Sequence, residues 1–168
     1  MGHPVLTSYT EIDSPIGRLA LAATAGGICR LSIGRFLDEI PPHPALSPGD
    51  LAQPVGERGI AQLNEYFQGT RRQFDLPLDL SLVTDFQAKV FETLRRIPYG
   101  ETVSYAWVAG QIGQPKAARA IGQACHANPL PILIPCHRVV GSGGKLVGFA
   151  PGVEVKRKLL ALEYEFKD

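Results

Sequence analysis

The sequence predicts an α/β chain built as two units, a small strand-rich one followed by a helical one. Three observations point there. Turn residues punctuate short β-prone runs through the first third of the 168 residues, and at Thr84 the pattern switches to a helix cap and a helical period. The charge changes sign at the same place: residues 1–80 hold six Lys/Arg against nine Asp/Glu, and residues 81–168 hold eleven against seven. We therefore expect domains at 1–80 and 81–168.

In the first unit, Val5 to Asp13, Arg18 to Ala25 and Ile28 to Ile33 read as strands, joined by the turns Ser14-Pro15-Ile16-Gly17 and Gly26-Gly27. This is a β-meander. Five prolines between Ile40 and Pro54 break both periods and mark a surface loop. Ile60, Leu63, Tyr66 and Phe67 recur at helical spacing, so Val55 to Gln68 is expected as an amphipathic helix closed by Gly69, with a short strand near Gln73 to Leu76. Nothing in this unit looks catalytic.

The second unit opens on Thr84-Asp85-Phe86-Gln87, which fits a capping box. Phe86, Val90, Phe91, Leu94 and Ile97 then line one helical face. Two further helices, Ser104 to Ile112 and Lys116 to Ala127, are separated by Gly113-Gln114-Pro115, an interruption of helix-turn-helix length. The second would face nucleic acid. It surrounds Arg119 with small side chains (Ala117, Ala118, Ala120, Gly122, Ala124), which suits either close approach to a groove or a tightly packed core helix with one solvated arginine.

Leu130 to Ile134 delivers the chain into Pro135-Cys136-His137-Arg138. A cysteine near neutrality is mostly thiol, so a reactive one needs a basic or cationic neighbour, which His137 and Arg138 supply. An inert packing cysteine is the alternative. Val153 to Tyr164 resumes a helical period through Val155, Leu159, Leu160 and Leu162, with Lys156, Arg157 and Lys158 on other faces; Glu163 is a candidate third group to orient the imidazole.

Other chemistries fit poorly. Three cysteines cannot all pair, which favours a reducing compartment, and no apolar run of membrane-spanning length or signal-peptide start is present, so a cytoplasmic protein without membrane attachment is expected. Gly141 to Lys145 lacks the Ser or Thr of a phosphate-binding loop, and the Cys and His residues lack zinc-finger spacing, so no metal or other cofactor is expected.

The stretch from Phe86 to Glu163 closely resembles the methylated-DNA-protein-cysteine methyltransferase family, the O6-alkylguanine-DNA alkyltransferases. Ile134-Pro135-Cys136-His137-Arg138-Val139 matches the acceptor-cysteine motif. Ile97-Pro98-Tyr99-Gly100, Ser104-Tyr105, Ala117 to Gly122 and Asn128-Pro129 follow in the family's order. The first half matches more loosely, mainly at Asp13 to Gly17.

The resemblance implies an N-terminal ribonuclease H-like α/β domain and a helical winged helix-turn-helix domain. It implies a monomer that binds double-stranded DNA through the minor groove, flips out O6-alkylguanine, or O4-alkylthymine, and irreversibly moves the alkyl group to Cys136. His137 would act as base through a water, with Glu163 orienting it, Tyr105 donating to the departing base, and Asn128 bracing the cysteine turn. Arg119 would fill the space left by the base. Ser104, Ala118, Ala120, Gly122 and Arg138 would lie against DNA, and Val139, Phe149 and Ala150 against the base, with the carbonyls of Cys136 and Val139 receiving its amine. Phe149 stands where tyrosine is common, Ala150 where serine is, and Phe91 where tryptophan is. Two rivals are a lesion sensor without transfer, against which Cys136 argues, and a cysteine hydrolase, which would turn over and would not need Arg119.

Overall fold

The computed structural model describes residues 6–34 and 54–168. The proline-rich loop expected from Ile40 lies, as far as residue 53, outside the described residues. The chain divides into two compact units, Met1–Leu82 and Val83–Asp168.

In the first unit β1 (Leu6–Ser14), β2 (Gly17–Thr24) and β3 (Gly27–Ile33) form an antiparallel sheet in chain order. Its hairpin turns fall on the two glycine-bearing turns, with Ser14 paired to Gly17 and Thr24 to Gly27. The central strand buries every residue from Leu19 to Thr24, which its small Ala20, Ala22 and Ala23 permit. Helix α1 (Pro54–Phe67) packs on all three strands. Its buried stripe is Gly56, Gly59, Leu63 and Tyr66, so the face is rotated from the one the Ile60 and Phe67 spacing suggests. A Cβ on Gly59 would stand 2.6 Å from Leu21 Cδ2, so the bare backbone sets how closely the helix approaches the sheet.

The strand expected at Gln73 to Leu76 does not form. Pairing occurs further on, as a single parallel bridge between Ile28 and Leu78, in which Ile28 N–H donates to Pro77 O and Asp79 N–H to Ile28 O. Pro77 has no N–H to extend that ladder. The preceding segment is instead held by a side chain: the buried Gln62 donates to Asp75 O at 3.1 Å and accepts from Asp75 N at 2.9 Å.

The second unit begins with α2 (Asp85–Leu94), whose capping box is complete: Gln87 N donates to Thr84 Oγ1 at 3.1 Å and Thr84 N to Gln87 Oε1 at 3.0 Å. Its inner face, Val90, Phe91 and Leu94, is fully buried. Strand β4 (Val103–Ser104) leads into α3 (Tyr105–Gln111), and α4 (Ala118–His126) follows a short turn. Ser104 caps α3 by accepting from Trp107 N at 3.0 Å. Val108 and Ala109 of α3, with Ile121, Ala124 and Cys125 of α4, enter the core. A 3₁₀ turn at Cys136–Arg138 runs into β5 (Val139–Val140), which pairs parallel with β4, and α5 (Val153–Phe166) closes the unit.

The sequence places Lys156, with Arg157 and Lys158, on faces of α5 other than the apolar one. It is instead 1% exposed, on the buried stripe Lys156, Leu159, Glu163 at spacings i, i+3 and i+7. No helix among the described residues is long and apolar enough to cross a membrane.

Candidate active site

Residues Leu130 to Val140 are all buried, and Asn128 fastens the turn that carries the thiol. Asn128 Nδ2 donates to Ile134 O at 2.9 Å and its Oδ1 accepts from Leu130 N at 2.9 Å, spanning the loop from both ends. Ile132 sits within it at φ 75°, the one non-glycine residue with positive φ among the described residues. A β-branched side chain there carries strain of about 1–3 kcal/mol, which the Asn128 clasp and full burial of Ile132 offset. Cys136 N then donates to Ile134 O at 2.7 Å, fixing the start of the 3₁₀ turn.

Around Cys136 the groups divide into a charged cluster and a cavity. In the cluster, the Glu163 carboxylate is fully buried and accepts four hydrogen bonds. His137 Nε2 lies 2.6 Å from Oε2, Arg138 Nη2 donates to Oε2 at 3.0 Å, Arg138 Nε donates to Oε1 at 2.8 Å, and Gly100 N donates to Oε1 at 3.2 Å. Burial works to raise this carboxyl, but the hydrogen bonds and charge of its partners outweigh it and hold Glu163 well below the usual carboxylate range. Arg138 supplies the permanent positive charge. Burial, with Arg138 and Lys156 nearby, lowers the His137 pKa against the pull of Glu163. The neutral imidazole therefore donates through Nε2 to Glu163, leaving Nδ1 as an acceptor. That nitrogen is buried with no hydrogen-bond partner among the described residues.

Arg138, expected against DNA, is a correction. Its guanidinium is buried on Glu163, donates from Nη1 to Ile97 O at 2.8 Å and lies over the Tyr99 ring, so the side chain faces the interior of its unit and not a phosphate at the surface.

The thiol of Cys136 is 3% exposed. Burial pushes it up to about 11, against the hydrogen bond from Asn128 and the positive charge of Lys156, both of which favour thiolate. The resting group is a thiol that becomes reactive only when a base takes its proton.

The cavity beside it, about 730 Å³, is lined by Ser104, Tyr105, Ala118, Arg119, Gly122 and Gly148 among others. The β4–β5 pairing creates this neighbourhood, because Val103 opposite Val139 and Ser104 opposite Val140 set the start of α3 beside the acceptor segment. Tyr105 lies at its edge, donating to Val147 O at 3.0 Å, and burial raises its phenol to about 12, so the hydroxyl keeps its proton. Arg119 is exposed and Ala120 only partly so, while Phe149 is buried and Ala150 exposed. Cys136 is not among the lining residues. The Val139 carbonyl, expected to receive a base amine, accepts Lys156 Nζ at 2.6 Å. Sequence reasoning passed over Lys156, and also Gln123, His126 and Ser142, which line the cavity. The i, i+3, i+7 match of Lys156 to Leu159 and Glu163 was the available signal.

Two family models cover the chain: residues 7–80 match the 6-O-methylguanine DNA methyltransferase ribonuclease-like domain, and residues 85–165 match the DNA binding domain of the same family. A methylated-DNA–protein-cysteine methyltransferase of Mycobacterium tuberculosis strain H37Rv is 46% identical over 156 residues, 92% of this chain and 91% of its own. The chain belongs to the 6-O-methylguanine DNA methyltransferase family. A relative of the same name from Methanosarcina barkeri is 43% identical over 159 residues, covering 92% of this chain and 96% of its own. The crystal structure of M. tuberculosis OGT in complex with DNA superimposes with a TM-score of 0.79 at 43% identity, covering 95% of this chain and 94% of that one. Membership in this methyltransferase family brings with it a ribonuclease-like first domain, a DNA-binding second one, and a reaction that ends on a protein cysteine.

Proposed function

We propose that this protein repairs O6-alkylguanine in double-stranded DNA by moving the alkyl group to Cys136, once per molecule. The observation that carries this reading is a buried thiol followed in the chain by a buried imidazole whose Nε2 is fixed on Glu163 and whose Nδ1 has no hydrogen-bond partner among the described residues. Residues 1–80 act as scaffold and residues 81–168 as the reacting domain.

In the reaction His137 Nδ1 takes the Cys136 proton, through a water, as the sulfur attacks the alkyl carbon in line. The S–C bond forms as the bond from that carbon to the guanine oxygen breaks, and guanine leaves as an anion. The Tyr105 phenol donates a hydrogen bond to it. Glu163 keeps the imidazole in its tautomer and Arg138 keeps Glu163 ionised; both are positioning residues. Asn128 holds the turn and favours the thiolate. The product is a thioether, which no water can hydrolyse under these conditions, so the molecule is spent.

The base must leave the stack to reach a buried thiol. α4 enters the minor groove, where Ala118, Ala120 and Gly122 add little bulk, and Arg119 fills the space the base leaves. Ser104 meets the backbone at the start of α3. The base lies against Val139, Phe149 and Ala150, with the second lone pair of the Val139 carbonyl still open to its amine. One molecule acts per lesion, as a monomer, in the cytoplasm.

Incubating the protein with duplex DNA carrying a labelled methyl on guanine O6 tests this. At most one label per molecule is expected, with none on Cys136→Ser. Repeated turnover would indicate a hydrolase instead.

A further inference from the structure

Lys156 is a buried cation whose hydrogen bonds have no part in the mechanism above. Its Nζ donates to Val139 O at 2.6 Å and Val147 O at 2.9 Å, and no carboxylate lies within ion-pair distance of it among the described residues. It thus ties the acceptor strand to the loop that edges the cavity. The Val147 carbonyl is shared: Tyr105 Oη donates to it as well, at 3.0 Å. The phenol can sit there because position 148 is glycine, with φ +69° and a would-be Cβ only 3.1 Å from Tyr105 Oη.

A phenol has one proton and cannot donate to Val147 and to a departing base at once. When Tyr105 turns to the base, the Val147 carbonyl loses a donor just as the base fills the cavity beside Gly148 and keeps water from it. A covered carbonyl without a donor resists that turn. We propose that Lys156 is a positioning residue that holds the Val147 carbonyl when the Tyr105 phenol leaves it for the departing base. The inference rests on the role given to Tyr105 above. Lys156 supplies the replacement donor in advance, so the phenol exchanges one acceptor for another with nothing left unpaired behind it.

Single-turnover rates of alkyl transfer from lesion duplex to the unmodified protein, to Tyr105→Phe, to Lys156→Met and to the double variant test this. Tyr105→Phe is expected to slow transfer by about a hundredfold, the scale of one lost hydrogen-bond donor to a developing anion. Lys156→Met is expected to slow it by about tenfold or more, the scale of one unmade hydrogen bond. The double variant is expected to fall well short of the product of the two losses, keeping only what is lost when the Lys156 charge is removed from the neighbourhood of the Cys136 thiol. Affinity for the lesion duplex should be unaltered in Lys156→Met, a split that general loosening would not produce. Losses that multiply would overturn the role of Lys156 and leave that of Tyr105 standing. Transfer at full rate by Tyr105→Phe would overturn both.

If Lys156→Met does not fold, a crystal structure of Cys136→Ser bound to the lesion duplex decides the matter. Tyr105 Oη is expected on the base with Lys156 Nζ still on Val147 O, and an Nζ withdrawn from that carbonyl would overturn the inference.

Discussion

Replacing Arg138 by Met strips the Glu163 carboxylate of two of its four donors and leaves the Ile97 carbonyl without its guanidinium partner. Both side chains of the pair are buried, at 7% and 0% exposure, so solvent cannot step in. Breaking one side of a buried ion pair costs about 3–5 kcal/mol. For a chain of this size that corresponds to a fall in melting temperature of roughly 6–20 °C. The pH dependence carries a sign. In the unmodified protein Glu163 is depressed below its unfolded value, so its contribution is full above about pH 4.3 and is lost only as pH falls through the still lower folded value. Without Arg138 the burial that raises this carboxyl is less opposed, so the variant takes up a proton in mild acid and sheds the buried charge. Urea unfolding of both proteins at neutral pH and at about pH 5 should therefore show a gap that narrows in acid. Adding Glu163→Gln should recover about half of the loss, because no uncompensated charge remains. A loss below about 1 kcal/mol at neutral pH, or a gap indifferent to pH and to Glu163→Gln, would contradict the buried-pair assignment.

Three other outcomes follow from the site. Since the His137 pKa is lowered, the transfer rate should stay level down to about pH 6.5, the ordinary histidine value, and fall only below it; a fall beginning above that value would show a histidine that is not held neutral. A buried thiol near pKa about 11 should react with iodoacetamide at neutral pH at least about a hundredfold more slowly than free cysteine, and parity would mean an exposed or ionised sulfur. Arg119→Ala should slow repair of duplex DNA at least about tenfold while leaving reaction with an O6-alkylguanine free base within about twofold, because unstacking is needed only in the duplex; equal losses on both substrates would remove Arg119 from base extrusion.

What the sequence revealed tracks how local each interaction is. The capping box at Thr84 and Gln87 and the hairpin turns at Ser14–Gly17 and Gly26-Gly27 are set by residues within a few positions of one another, and they read directly. Asn128, which reaches Ile134 across six residues, was legible only through the family resemblance, because nothing in its local spacing marks the contact. The strand placed at Gln73 to Leu76 overlooked Pro77, whose missing N–H restricts pairing to one bridge. The two misread cations share a cause. Arg138 looked like a neighbour for the thiol or for DNA because it follows Cys136 and His137, yet its partners are 25 and 41 residues away. Lys156, inside a Lys-Arg-Lys run, read as lying off the apolar face of its helix, yet its partners are carbonyls 17 and 9 residues back. Backbone acceptors leave no mark on a sequence, whereas the acid that captures Arg138 at least does.

The claim on which the rest depends is that Cys136 is the one alkyl acceptor. Intact-mass analysis followed by peptide mapping, after reaction with excess duplex containing O6-methylguanine, tests it most directly. A single added methyl is expected, carried entirely on the peptide that contains Cys136. A methyl on Cys29 or Cys125, more than one per molecule, or consumption of the lesion with the protein mass unchanged would contradict it.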